Sequence, residues 1–143
     1  MSEYGRLLGV DVGSKRVGIA RTDLMRTFAG PVGTYNQPDS FRELSRQIKH
    51  EGPVIGIVIG WPLTPQGKPT HATELAAGYI KKCRADYPNI PVYKMDERYS
   101  SKEALEFMVD AGVPKKKREE KGRLDQAAAA HILQQFLEAR PEI

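Results

Sequence analysis

The chain has a single cysteine, Cys83, among its 143 residues. An internal disulfide is therefore excluded, and the sequence contains no Cys/His spacing typical of a zinc site. Long apolar runs are missing too: none approaches the roughly 20 residues needed to span a bilayer. The N-terminus lacks the basic-then-apolar layout of a secretory signal. Together these absences predict a reducing, cytoplasmic setting. Internal repeats, low-complexity tracts and linker-like stretches are also missing. The length suffices for one compact domain with its own core, so residues 1–143 read as a single domain.

Acidic excess is likewise absent. Lys and Arg number 22 against 18 Asp and Glu, a formal net charge of +4. The excess is concentrated in "KKKREEKGR", residues 115–123, and the rest of the chain is balanced. Such a segment fits a polyanionic partner such as nucleic acid. The plainer reading is a solvated basic loop.

What is present is a pattern of short apolar runs. Residues 6–11 and 16–22 read as two strands of a hairpin around "DVGSKR". The second strand alternates Val17 and Ile19 with Gly18 and Ala20, so one face is bulky and the other nearly bare. "AGPVGTY", residues 29–35, reads as an edge strand, because Pro31 cannot donate to a ladder. "DSFRELSRQIKHEG" reads as a helix capped by Asp39 or Ser40 and stopped by Gly52 and Pro53. "VIGIVIG", residues 54–60, suits a central strand buried on both faces. A helix over 70–86 and a strand at "PVYKM" follow. Ser100 and Glu103 form a capping box for another helix, closed by Gly112. A final helix runs from about Leu124 to Ala139. The order β-β-β-α-β-α-β-α-α predicts an α/β fold with a mixed sheet whose later strands are parallel and covered by helices.

The chemistry-bearing residues are carboxylates. Asp11 interrupts the apolar run Leu8, Val10, Val12, and a buried carboxylate is costly without a charged partner. In an open α/β sheet, sites form at the carboxyl ends of strands. Asp11 ends the first strand, and Asp96 and Glu97 follow the last. Asp125 shares a helical stripe with Ala129, Ile132 and Phe136, at i, i+4, i+7 and i+11. That stripe packs inward, and the alanines at 127–130 keep the helix thin enough to bring Asp125 near Asp11. Converging carboxylates call for a cation, and hard ions such as Mg²⁺ prefer their oxygens. Each acid also has a plainer reading. Asp11 can accept backbone N–H bonds in its turn, Glu97 can pair with Arg98, and Asp125 can sit against a helix dipole.

Four blocks, "LGVDVGSKRVGIA", "VIGWPL", "DERYSSKEA" and "KKKREEKGRLDQAAAAHILQQFLE", resemble the YqgF/RuvX family in order and over almost the whole chain. The resemblance implies an RNase H-like fold, a five-stranded mixed sheet with helices on both faces, related to the resolvase RuvC. It implies a bacterial cytoplasmic nuclease that processes the 5′ end of the small-subunit rRNA precursor. By motif match the site acids would be Asp11, Glu97 and Asp125, holding Mg²⁺ or Mn²⁺ in a two-metal arrangement, with Asp96 secondary. Products would be a 5′-phosphate and a 3′-hydroxyl. Two departures stand out. Trp61 replaces a residue that is more often Leu in the family, and core or loop packing is its simpler reading, base stacking the alternative. Ala128 stands where related resolvases carry a fourth acid.

Candidate phosphate contacts are Lys15, Arg16, Arg98, Lys115, Lys116, Lys117 and Arg118. The substrate is left open between precursor rRNA and branched DNA, and a homodimer is one option for the assembly. A non-catalytic nucleic-acid-binding or transcription-associated module is the first rival reading. An ATP-binding actin-like half, suggested by "GVDVGS", is the second, although such proteins use two domains. Cys83 falls on an apolar stripe, and His50, His71 and His131 show no triad or ligand spacing.

Overall fold

A computed structural model of the chain describes residues 4–96 and 121–139. Among the described residues the elements are β1 (Arg6–Val12), β2 (Val17–Thr22), β3 (Ala29–Tyr35), α1 (Gln37–His50), β4 (Val54–Trp61), α2 (His71–Asp86), β5 (Val92–Asp96) and α3 (Lys121–Ala139). The helix expected from Ser100 to Gly112 lies outside the described residues. The five strands make one sheet in the order β3-β2-β1-β4-β5. β1 pairs antiparallel with β2, and β2 antiparallel with β3. β1 and β4 are parallel, as are β4 and β5. The expected mixed sheet is thus observed, with Pro31 on an edge strand.

The two faces are separated by strand parity. Leu8, Val10, Val17, Ile19, Ile57 and Ile59 point to one face and pack with Leu44 of α1 and with Ala76, Tyr79, Ile80 and Cys83 of α2. Leu7, Ala20 and Val58 point to the other, against Ala129, Ile132, Leu133 and Phe136 of α3. β4 accordingly contributes fully buried side chains to both faces, which explains its continuous apolar run. Phe41 stacks on Tyr79 at 4.4 Å between ring centroids, and Ser40 and Tyr79 share a 2.8 Å hydrogen bond, so α1 and α2 are joined through one buried pair.

The start of α1 differs from expectation. The cap is Asn36, whose Oδ1 accepts from the Asp39 backbone N–H at 2.9 Å. Neither Asp39 nor Ser40 caps it. Asp39 lies instead in the first turn, where its charge complements the dipole, and Pro38 fits there because its missing N–H has no helical partner. The far end, at His50 before Gly52 and Pro53, is as expected.

Cys83 is buried, and burial, with a smaller contribution from Asp86, pushes its thiol up to about 12. The thiolate is the nucleophile, so the folded protein should resist iodoacetamide at pH 8. Mass spectrometry is expected to find Cys83 unmodified in native protein and alkylated promptly in guanidinium. Gly78 lies exposed within α2, and a methyl group there would meet nothing within 4 Å. Gly78→Ala should stabilise the protein by up to about 1 kcal/mol. That corresponds to a rise in Tm of about 3 °C by calorimetry.

Candidate active site

Asp11 sits at the carboxyl end of β1, half-buried, and its cross-strand partner on β2 is Gly18. Directly opposed residues on antiparallel strands place their β-carbons about 4.5–5.5 Å apart on one face. The position that a β-carbon of Gly18 would occupy is already filled by α3. It lies 2.2 Å from the carbonyl oxygen of Asp125 and 2.9 Å from the nitrogen of Gln126. The backbone of α3 at Asp125 therefore rests on bare strand beside Asp11, on the same face of the sheet. Gly9 does the same further down β1, where an added β-carbon would lie 3.0 Å from the carbonyl oxygen of Ala129. The two glycines and the sheet-facing Ala129 and Ala130 are complementary surfaces, while Ala127 and Ala128 cluster apart with Leu124. Each removes side-chain bulk so that helix and sheet approach closely. Gln134 fastens the helix laterally, its Oε1 accepting from the Ala29 backbone N–H of β3 at 3.1 Å.

A cleft of about 250 Å³ opens at this corner, lined by Gly13, Ser14, Lys15, Arg16 and Asp125. The hairpin turn that forms its wall is closed by the Gly13 N–H donating to the Arg16 carbonyl at 2.9 Å. Arg16 Nε donates to Asp125 Oδ2 at 2.7 Å, so the guanidinium is ion-paired across the cleft. Both partners are partly exposed, which limits the pair's contribution to stability to about 1 kcal/mol or less. Lys15 is exposed at the mouth.

The structure thus brings Asp11, Asp125, Lys15 and Arg16 to one corner. Asp96 does not share it. Tyr93 and Met95 pack with the α3-side cluster and Val92 with the α1/α2-side cluster, so the alternation of β5 puts Asp96 on the face opposite Asp11. Glu97, Arg98, Lys115, Lys116, Lys117 and Arg118 lie outside the described residues. Among the described residues no three of His, Cys, Asp and Glu gather as a ligand set. The donors at the corner suit a hard cation all the same. Asp11 and Asp125 bring carboxylate oxygens there, the cleft's lining has no thiol or imidazole, and a cation would take the place that the Arg16 guanidinium now holds on Asp125.

One group of residues was overlooked in the sequence. Lys81 and Arg84 of α2 and Lys94 of β5 line a second cleft with Trp61. Their signal was the spacing of three between Lys81 and Arg84, which puts both on one helix face.

The architecture is that of the RNase H-like resolvases. RuvC of Thermus thermophilus bound to a Holliday junction substrate superposes with a TM-score of 0.55, at 17% identity, over 96% of both chains. The fowlpox virus Holliday junction resolvase gives 0.58 at 13% identity, over 94% of this chain and 99% of that one. The family model described as "RuvX: Holliday junction resolvase" matches residues 5–139, and the chain belongs to the RuvX family. Curated relatives from Salinibacter ruber and Chlorobium phaeobacteroides carry the name "Putative pre-16S rRNA nuclease". The first is 42% identical over 96% of this chain and 95% of its own length. The second is 41% identical over 93% and 92%.

Proposed function

We propose that this protein is a cytoplasmic, metal-dependent endonuclease that hydrolyses a phosphodiester bond at the 5′ end of the 16S rRNA precursor. The observation that carries the reading is the docking of the Asp125 turn of α3 onto Gly18, beside Asp11, in a chain with these relatives. Asp11, Glu97 and Asp125 would hold Mg²⁺ or Mn²⁺. Such ions, when bound, lower the pKa of water and neutralise charge on the leaving oxygen.

The chain's own residues supply the rest. Asp11 fixes one carboxylate on rigid strand, and Asp125 fixes another on a helix held by close packing, so little reorganisation is needed when substrate arrives. Lys15 and Arg16 stand at the cleft mouth to receive the phosphates on either side of the reacting bond. Arg16 would then exchange a carboxylate partner for a phosphate one, since its planar fork suits both. Arg98 and Lys115 to Arg118 would extend the backbone contacts. In-line attack at phosphorus would leave a 5′-phosphate and a 3′-hydroxyl.

A second substrate reading, a four-way DNA junction, is favoured by the description of the matched family. One assay separates the two. Purified protein with Mg²⁺ or Mn²⁺ is given RNA carrying the precursor 5′ extension and, separately, a mobile four-way junction. Cleavage of the RNA alone, stopped by chelator, is the expected result. Cleavage of the junction alone overturns the substrate assignment, and no cleavage of either overturns the nuclease reading.

A further inference from the structure

We propose that the cleft between α2 and β5, walled by Trp61, Lys81, Arg84 and Lys94, docks a single-stranded nucleic-acid segment that flanks the bond being cut. The inference rests on the nuclease reading and adds to it a second binding surface on the other face of the sheet.

The cleft is about 250 Å³ and is lined by Trp61, Ala77, Ile80, Lys81, Arg84 and Lys94. Three of those six residues are cationic and none is acidic. Lys82 and Asp86 pair with each other on α2 at 3.0 Å, so the nearby carboxylate on that helix is already engaged. Arg84 donates to the Val92 carbonyl at 3.3 Å, which ties its guanidinium to β5. Asp96, the register partner of Trp61, stands on the same face at the upper end of β5, so one carboxylate flanks the cleft beyond its lining. The lining is therefore positive on balance, three cations beside one flanking carboxylate, with the Arg84 guanidinium turned toward β5.

Trp61 gives this site its chemistry. Its ring packs partly against the α1/α2-side core and carries the Lys94 ammonium 4.1 Å from its centroid. The indole is thus anchored from within and covered outward by one long, exposed side chain. A nucleobase can take that position while Lys94 turns to a neighbouring phosphate. Both contacts are then retained, since base–aromatic stacking tolerates any base and the lysine keeps an anion. An aromatic platform flanked by cations is the combination by which single strands are held without regard to sequence.

Position connects the two clefts. Val10 pairs with Ile59 in the parallel β1–β4 ladder, so Trp61 stands at the level of Val12, one residue beyond Asp11. Adjacent strands are about 4.8 Å apart. Trp61 and Asp11 thus lie on one carboxyl edge of the sheet, on neighbouring strands, facing opposite sides. A strand leaving the first cleft reaches the second by crossing that edge within a few nucleotides.

The chain has one tryptophan, so its fluorescence reports on Trp61 alone. Short oligo(U) and oligo(dT) should each quench it on titration. The triple variant Lys81→Gln, Arg84→Gln, Lys94→Gln changes exposed side chains. It should bind labelled oligo(U) about tenfold more weakly, with a log–log salt slope shallower by about 2, at ~0.7 per lost single-strand contact. Trp61→Leu should weaken binding several-fold by anisotropy while leaving the salt slope unchanged. Cleavage of RNA by the parent protein without any change in Trp61 fluorescence overturns the inference and leaves the nuclease reading intact. Quenching without cleavage overturns the nuclease reading and leaves the cleft as a single-strand binding site only. Equal quenching by polyglutamate of matched charge overturns the nucleic-acid assignment, because the cleft is then an unselective anion patch.

Discussion

Asp11→Asn is expected to lose RNA cleavage by about 10²–10³-fold, the range seen when one fixed charge-stabilising group is removed from an active site. The exchange keeps the shape of the side chain and removes its charge. Asp11 is half-buried at a strand end and asparagine fills the same volume, so Tm should move by no more than about 2 °C. The two measurements together separate a chemical role from a structural one. Isothermal titration with Mn²⁺ provides a third, and the variant should bind the ion more weakly than the parent. Unimpaired cleavage by the variant would remove Asp11 from the chemistry.

Gly18→Ala is expected to be the most disruptive single-methyl change in the described structure. The new carbon would lie 2.2 Å from a backbone carbonyl oxygen and 2.4 Å from its carbon. No rotamer change can relieve a clash with main chain, so α3 must lift from β2. Overpacking of this kind costs about 3 kcal/mol, and Tm should fall by about 10 °C. Cleavage should fall with it even well below the melting temperature, because the Asp125 turn moves away from Asp11. Gly9→Ala provides a graded comparison. Its nearest contacts, the Ala129 carbonyl oxygen and Leu133 Cβ, are both at 3.0 Å, so α3 need give by only a few tenths of an ångström, and about 1 kcal/mol is expected. An unchanged Tm for Gly18→Ala would mean that α3 does not rest on β2.

Much of this arrangement was legible in the residues themselves. The bare face of Gly18 and Ala20 meets Ala129 and Ala130, half of the alanine run, while Ala127 and Ala128 cluster apart with Leu124. The stripe of Asp125, Ala129, Ile132 and Phe136 has the inward orientation its spacing predicts, with the last three buried. Local reading failed at the start of α1. Asn36, Asp39 and Ser40 all belong to the residue types that cap helices, and only backbone geometry chooses among them. It failed again at the Trp61 cleft, because Lys81, Arg84 and Lys94 come from two elements whose adjacency is set by the parallel β4–β5 ladder. A sequence shows faces, and a fold decides which faces meet.

The close seat of α3 on the first hairpin also sets a clock. Asp125 is made 114 positions after Asp11. At about 5–20 residues per second, roughly 6–23 s of synthesis separates them. Throughout that interval the β1–β2 hairpin has no α3 to cover Gly9 and Gly18, and Asp11 has no partner acid on that face from the C-terminal helix. The proposed site, which needs both acids, cannot assemble on the chain before α3 is made. On the proposed reading, the protein is born beside ribosomal RNA in a harmless form and gains the power to cut only when α3 is complete and docked.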